Sequence, residues 1–192
     1  MSYGIMPYSV SIDRLKQAIG SNDAALAKSL KDRLRDSYDF DSDDDEVTPE
    51  QAVDQLISGS ELQKGYGHYY GTVIELLSLQ FGKMLENGAF SGMSSSWADE
   101  VDQALEDAGV PAEILRVTDH LMYRSSPVTI PPPDDFPSIG YLTKSEIPAA
   151  LQAMQSADMD SADDEQKEAM IQLKNWLEIC SKASTDLVCF YH

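Results

Sequence analysis

Hydrophobic and polar positions along most of the chain alternate with the period of an α-helix. Leu26, Leu30 and Leu34 recur at four-residue spacing, and two adjoining apolar stripes run through about 66–85. An apolar surface that wide predicts a central core helix covered on most sides. The same spacing, with local start and stop signals, predicts further helices at about 11–19, after 22, after 48, at 96–109, at 143–155 and up to about 182.

Several of these helices carry recognisable start signals. Segment 48–51, Thr-Pro-Glu-Gln, has a capping threonine, a proline at the first helical position and a glutamine that completes a capping box. Segment 143–146, Thr-Lys-Ser-Glu, repeats the capping-box pattern. Asn22 and Ser96 are predicted to cap the helices that follow them.

The two ends of the chain have the composition of β-strands. Tyr3–Val10 is short and rich in aromatic and β-branched residues, with a break expected near Pro7, and 186–192 reads Asp-Leu-Val-Cys-Phe-Tyr-His. Strands at both ends with helices between them predict an α+β fold, mainly helical, whose small sheet is formed by strands near the two termini.

The length of 192 residues is typical of a single domain, predicted here to span 1–192. Two acidic segments, at about 39–47 and 156–164, are predicted to be flexible loops within it. Segment 127–137 contains five prolines and is predicted to be a stiff, extended loop.

The charge is strongly negative, because 33 Asp and Glu residues face 14 Lys and Arg residues, for a net charge of −19. Such a field disfavours nucleic acid and anionic membranes and favours basic proteins. Two runs contain no Lys or Arg: 36–61 with ten acids and 86–113 with seven. Solubility alone is the other explanation of this charge.

The cysteines, together with the lack of a signal or membrane-spanning pattern, bear on the expected compartment. Cys180 and Cys189 fall at apolar positions and are predicted to be buried thiols and not a disulfide. Residues 1–10 have no secretory pattern, and the most apolar segment, Val73–Leu79, is too short to span a membrane. A cytoplasmic protein without a cofactor is expected.

The acidic loop matches part of the calcium-binding EF-hand pattern. Counted from position 39, acids occupy the ligand positions 1, 3, 5, 7 and 12 of the loop. Position 6, however, is an aspartate where a glycine makes the turn, and a solvated linker explains the same residues. Calcium is therefore an alternative only, with the candidate ligands Asp39, Asp41, Asp43, Asp45 and Glu50.

Four residues are candidates for acid–base chemistry. His68 lies at the start of the core helix, with Glu75 two turns further along the same polar stripe. Asp134 and Asp135 follow three prolines on the stiff loop, where paired carboxylates can share a proton, bind a cation or pair with Arg124. The spacing of seven residues between His68 and Glu75 is too long for a direct hydrogen bond, and structural or surface roles are favoured for the three histidines. His120 and His192 have no motif around them.

Three motifs together resemble a known family. They are Met-Ser-Tyr-Gly-Ile-Met-Pro-Tyr at the start, Pro-Pro-Pro-Asp-Asp-Phe-Pro-Ser-Ile-Gly-Tyr-Leu at 131–142 and Asp-Leu-Val-Cys-Phe-Tyr at 186–191. Their order is similar to that of a family of uncharacterised bacterial proteins, classed only as a domain of unknown function. The resemblance implies a bacterial origin and one domain, and it implies no activity or site residues.

These observations support three functional hypotheses. The leading one is a non-enzymatic interaction protein whose acidic surface binds a basic protein, for example as an immunity-type or inhibitory partner. The second is a small enzyme or ligand-binding protein with a cleft near His68 and the Asp134–Asp135 loop. The third is cation binding at 39–50.

Overall fold

The chain folds around one small antiparallel sheet. The computed structural model describes residues 3–37 and 46–192. The sheet has the order β2-β1-β5-β4, and β3 also pairs with β1. Its strands are β1 (Tyr3–Val10), β2 (Lys83–Met84), β3 (Ser91–Met93), β4 (Ser138–Leu142) and β5 (Asp186–Tyr191). The predicted α+β fold, with paired strands near the two termini, is confirmed.

Seven α-helices account for most of the remaining regular structure in these two ranges. They are α1 (Ile12–Ala18), α2 (Ala24–Ser37), α3 (Pro49–Ser58), α4 (Gly67–Phe81), α5 (Trp97–Asp107), α6 (Ile147–Ser156) and α7 (Asp164–Ala183). A short π-helix covers Val117–Met122. No helix in the described ranges combines the length and the apolarity that crossing a bilayer requires.

The sheet separates two hydrophobic cores because successive side chains of a strand point to opposite faces. Leu187, Cys189 and Tyr191 of β5 pack in the core that includes α5, α6 and α7, whereas Val188 and Phe190 pack in the core that includes α1 to α4. We call these the α5–α7 layer and the α1–α4 layer.

Strand β1 continues through Pro7, so the predicted break is wrong. The Pro7 carbonyl accepts a hydrogen bond from Leu85 N–H at 2.9 Å, on the side of β1 away from β5. In an antiparallel strand the N–H and C=O of one residue face the same side. The missing proline N–H therefore removes no bond from the β1–β5 ladder, in which Pro7 lies opposite Cys189.

The core helix ends earlier than its apolar stripe predicts. Helix α4 stops at Phe81, and Gly82 packs so closely on β1 that an added Cβ would overlap the carbonyl oxygen of Ser9. The chain then turns into β2, whose Met84 lies opposite Tyr8. Tertiary pairing with β1 therefore overrides the helical pattern after residue 82.

The predicted caps are confirmed in part. At α3, Thr48 accepts from Gln51 N–H and the capping box is complete. At α2 the prediction is wrong, because Asp23 and not Asn22 accepts the first N–H groups of the helix. The Ser96 hydroxyl makes no cap bond at α5 and contacts the carboxylate of Glu100 at 2.8 Å.

Both cysteines are buried and free, as predicted. Burial raises the pKa of the Cys180 thiol, and it raises the pKa of the Cys189 thiol further. Because the thiolate is the reactive form, both side chains act as small apolar groups in the α5–α7 layer.

Candidate functional site

A buried carboxylate lies between the core helix and the sheet. Glu75 of α4 is only 4% exposed. The Tyr8 hydroxyl of β1 donates to Oε1 of Glu75 at 3.0 Å, and Nε2 of His192 lies 2.8 Å from Oε2. His192 follows β5, and its backbone pairs with Gly4 through two hydrogen bonds. We call Tyr8, Glu75 and His192 the buried trio.

The structure does not join Glu75 to His68, the predicted acid–base partner. Strand alternation places His192 on the sheet face that α4 covers, and Glu75 points to that face. His68 instead lies beside the rings of Tyr66 and Tyr69, with ring centroids 6.5 and 4.1 Å away. Its Nδ1 is buried and has no hydrogen-bond partner in the described ranges.

The buried trio could orient an imidazole for proton transfer, since both carboxylate oxygens are fixed by hydrogen bonds. The His192 side chain is 34% exposed and so reaches solvent. None of the three residues, however, lines any of the cavities described below. The trio therefore has the geometry of a structural polar contact that links α4 to β1 and β5.

The paired aspartates of the proline loop have separate roles. Asp134 is exposed and lines the largest cavity described below, whereas Oδ1 of Asp135 accepts the N–H of Phe136 at 2.7 Å. Arg124 pairs with neither of them. It binds Glu146 through two contacts of 2.8 and 3.0 Å, and its guanidinium lies 4.4 Å from the centre of the Tyr141 ring.

A cavity of about 820 Å³ lies between the end of α3 and the proline loop. We call it the proline-loop pocket. Its walls are mainly apolar, with Gln55, Lys64 and Asp134 as polar groups among the lining residues, which are Ile19, Gln55, Leu56, Gly59, Ser60, Leu62, Lys64, Gly65, Thr129, Ile130, Pro131, Pro132 and Asp134. One cleft was predicted near both His68 and the Asp134–Asp135 loop; Asp134 lines this cavity and His68 does not.

A second cavity, of about 480 Å³, is acidic. Glu100 of α5 and Glu165 and Glu168 of α7 line it together with Trp97, and no Lys or Arg is among its lining residues. The indole N–H of Trp97 donates to the carbonyl of Ala89 at 2.8 Å, which fixes the ring. We call this cavity the acidic cleft.

Two further buried carboxylates, which the sequence analysis did not single out, hold backbone N–H groups. Asp102 is 2% exposed and accepts from the N–H groups of Val117 and Thr118. Asp186 is 4% exposed and accepts from Ile12 N–H and Lys144 N–H, both at 2.7 Å. Since backbone donors occupy both oxygens of each group, these aspartates are structural.

The calcium prediction falls mostly outside the described residues. Asp39, Asp41, Asp43 and Asp45 lie there, and Glu50 is in α3, where its Oε1 is 2.7 Å from Nε of Arg35. Within 3–37 and 46–192, no group of three or more His, Cys, Asp or Glu residues is arranged to hold a metal ion. Calcium binding at 39–50 stays a prediction.

The model of a family described as a domain of unknown function (DUF7691) matches residues 1–192. Searches among curated proteins and among solved structures gave no match.

Proposed function

Because the chain belongs to this family of unknown function, we propose its function from its own surface: it binds a basic protein through the acidic cleft. One form of this function is an immunity-type or inhibitory protein that covers a basic target. The observation that carries the proposal is the convergence of Glu100, Glu165 and Glu168 beside Trp97 without a lysine or arginine lining the cleft.

Two of these carboxylates, Glu100 and Glu165, come from distant parts of the chain that lack positive charge, whereas Glu168 follows Lys167. No Lys or Arg occurs in 84–115 or in 145–166, and packing of α5 beside α7 brings the two stretches together. The nearest basic residue of α7, Lys167, has its Nζ 3.9 Å from Asp160. A negative surface of this kind raises the association rate with a positive partner.

The cleft has the chemistry to receive a lysine or arginine side chain. Carboxylates pair with the cationic head, and an indole face attracts a cation within about 6 Å of its centre. Arginine is the better fit, since its planar guanidinium can both stack on an aromatic ring and bind carboxylates.

Helix stabilisation accounts for part of this charge. Glu100 and Glu165 lie in the first turns of α5 and α7, where acidic groups interact favourably with the positive end of the helix. Glu168 lies beyond the first turn of α7, which begins at Asp164, so stabilisation of the helix end does not explain its charge.

Binding of a fluorescein-labelled octa-arginine peptide tests the proposal. The triple variant Glu100→Gln, Glu165→Gln, Glu168→Gln is expected to weaken binding by about tenfold, because three exposed charge pairs are lost. Fluorescence anisotropy at fixed ionic strength measures the dissociation constant. In a Trp176→Phe background, Trp97 is the remaining tryptophan, and its emission should change on binding.

The matched control removes three carboxylates from the other layer. Asp36→Asn, Glu46→Gln and Glu61→Gln change exposed residues and give the same net charge. This control should weaken peptide binding less than twofold. Equal weakening by both triple variants would show that only total charge matters, and the acidic cleft would lose its assigned role.

A further inference from the structure

The proline-loop pocket is a second site, in the α1–α4 layer and away from the acidic cleft. We infer that it binds a small molecule with an apolar body and a single carboxylate. Its volume of about 820 Å³ lies within the range of roughly 300–1,000 Å³ found for small-molecule sites. Leu56, Leu62 and Ile130 supply the apolar wall that an organic body would contact.

One wall of the pocket is held rigidly. Pro131 and Pro132 have little backbone freedom. Gly67, at the start of α4, lies so close to this loop that an added Cβ would overlap the carbonyl of Pro132. The loop is therefore fixed against the core helix before a ligand arrives, which lowers the entropic cost of binding.

The amide of Gln55 is held in one orientation by a hydrogen bond from Tyr70. The Tyr70 hydroxyl accepts from Gln63 N–H at 3.0 Å and donates to Oε1 of Gln55 at 2.5 Å. Because the amide oxygen is occupied by this bond, the NH₂ group of Gln55 is left to donate to a ligand. A carboxylate or carbonyl oxygen is the matching group.

Lys64 adds a positive charge to the same pocket. Its ammonium forms no ion pair with any residue of the described ranges, although acids outnumber bases 33 to 14 in the chain. Asp134 also lines the pocket, and its carboxylate makes a second negative charge on the ligand unfavourable. The pocket therefore selects a monocarboxylate in spite of the negative net charge.

Displacement of 1-anilinonaphthalene-8-sulfonate from the 192-residue protein tests this inference with three matched competitors. They are 4-phenylbutyrate, 4-phenylbutanol and 4-phenylbutylamine, which share one apolar body. The carboxylate should displace the dye at about tenfold lower concentration than the amine, although the net charge of −19 favours the amine. A preference for the amine, or no preference, would overturn the inference.

Three variants locate the site. Lys64→Met should remove the preference for the carboxylate, and Lys28→Met, which removes an exposed lysine from α2, should retain it. Thr129→Trp places a bulky ring at an exposed lining position and should abolish dye binding while leaving the thermal midpoint within a few degrees of wild type. Retained preference in Lys64→Met, or retained dye binding in a folded Thr129→Trp protein, would contradict the site.

Discussion

At the scale of single residues, the buried carboxylates differ in which groups donate hydrogen bonds to them. Asp102 and Asp186 accept hydrogen bonds from backbone N–H groups, and Asp102 also accepts one from the Thr118 hydroxyl. Glu75 is held by two side chains, Tyr8 of β1 and His192 directly after β5. Buried polar groups cost free energy unless they are hydrogen-bonded. Glu75 therefore depends on the correct pairing of β1 with β5, and it links helix α4 to both strands.

The Glu75→Leu variant is expected to lower the free energy of unfolding by about 1–3 kcal/mol, because the Tyr8 hydroxyl and the His192 ring each lose a partner next to a buried site. Urea unfolding monitored by circular dichroism measures the change. Glu86→Leu, at an exposed position, is the control and should change stability by less than about 0.5 kcal/mol. Equal effects of the two substitutions would show that the buried trio does not stabilise the fold.

The sequence identified Glu75 as a candidate but not its partner. Residues three and four apart on a helix can be paired from the sequence, and His68 was the nearest histidine on that stripe. The true partner, His192, is 117 positions away. The packing of α4 on one face of the sheet joins the two residues, and no local pattern encodes that contact.

At the scale of elements, the sequence predicts an element well where its start is encoded within a few neighbouring residues. The capping box at Thr48, which starts α3, is an example. The sequence pattern did not indicate β2 and β4, two short strands that form by pairing with distant strands. Strand β4 has only five residues and is ordered by pairing with β5, and β2 takes over the end of the apolar stripe of α4 through its pairing with β1.

The link between Arg124 and Glu146 ties the segment after the π-helix to the start of α6. The hydrogen bond from Arg124, supported by hydrogen bonds from Thr143, lowers the pKa of Glu146 from 4.5 to about 2. The unfolded carboxyl takes up its proton first because its pKa is higher. The stabilisation is therefore complete above pH 4.5 and is lost as the pH falls towards 2.

Unfolding of wild type and Glu146→Gln in urea between pH 6 and pH 2 is expected to show this dependence. The wild type should be more stable at pH 6, by a modest amount because the pair is partly exposed, and the difference should shrink as acid protonates Glu146. Arg124→Gln should likewise reduce the pH dependence of the free energy of unfolding. A difference that is constant with pH would contradict the pairing.

Close packing of Gly67 on Pro132 sets the wall of the proline-loop pocket. Gly67→Ala should destabilise the protein by about 1–3 kcal/mol, since the new Cβ overlaps backbone that has little room to move. Gly88→Ala is the matched control, because a Cβ there meets nothing within 4 Å. Thermal unfolding of both variants measures the effect. Equal thermal midpoints for the two variants would show that the proline loop can shift to accommodate the new Cβ.

At the scale of the whole molecule, the sheet separates two layers that carry different chemistry. The α1–α4 layer contains the proline-loop pocket, and the α5–α7 layer contains the acidic cleft. Composition alone predicted the sign of the surface field. It could not predict which carboxylates meet, because Glu100 and Glu168 are brought together by helix packing.

Mapping the octa-arginine peptide by ¹H–¹⁵N chemical-shift perturbation tests the central claim most directly. A coherent acidic cleft predicts that the shifts concentrate at the start of α5 and in the first two turns of α7, with the largest change at the indole N–H of Trp97. Shifts of similar size spread over exposed acids of both layers would contradict it, since they would show a diffuse negative surface without a defined binding site.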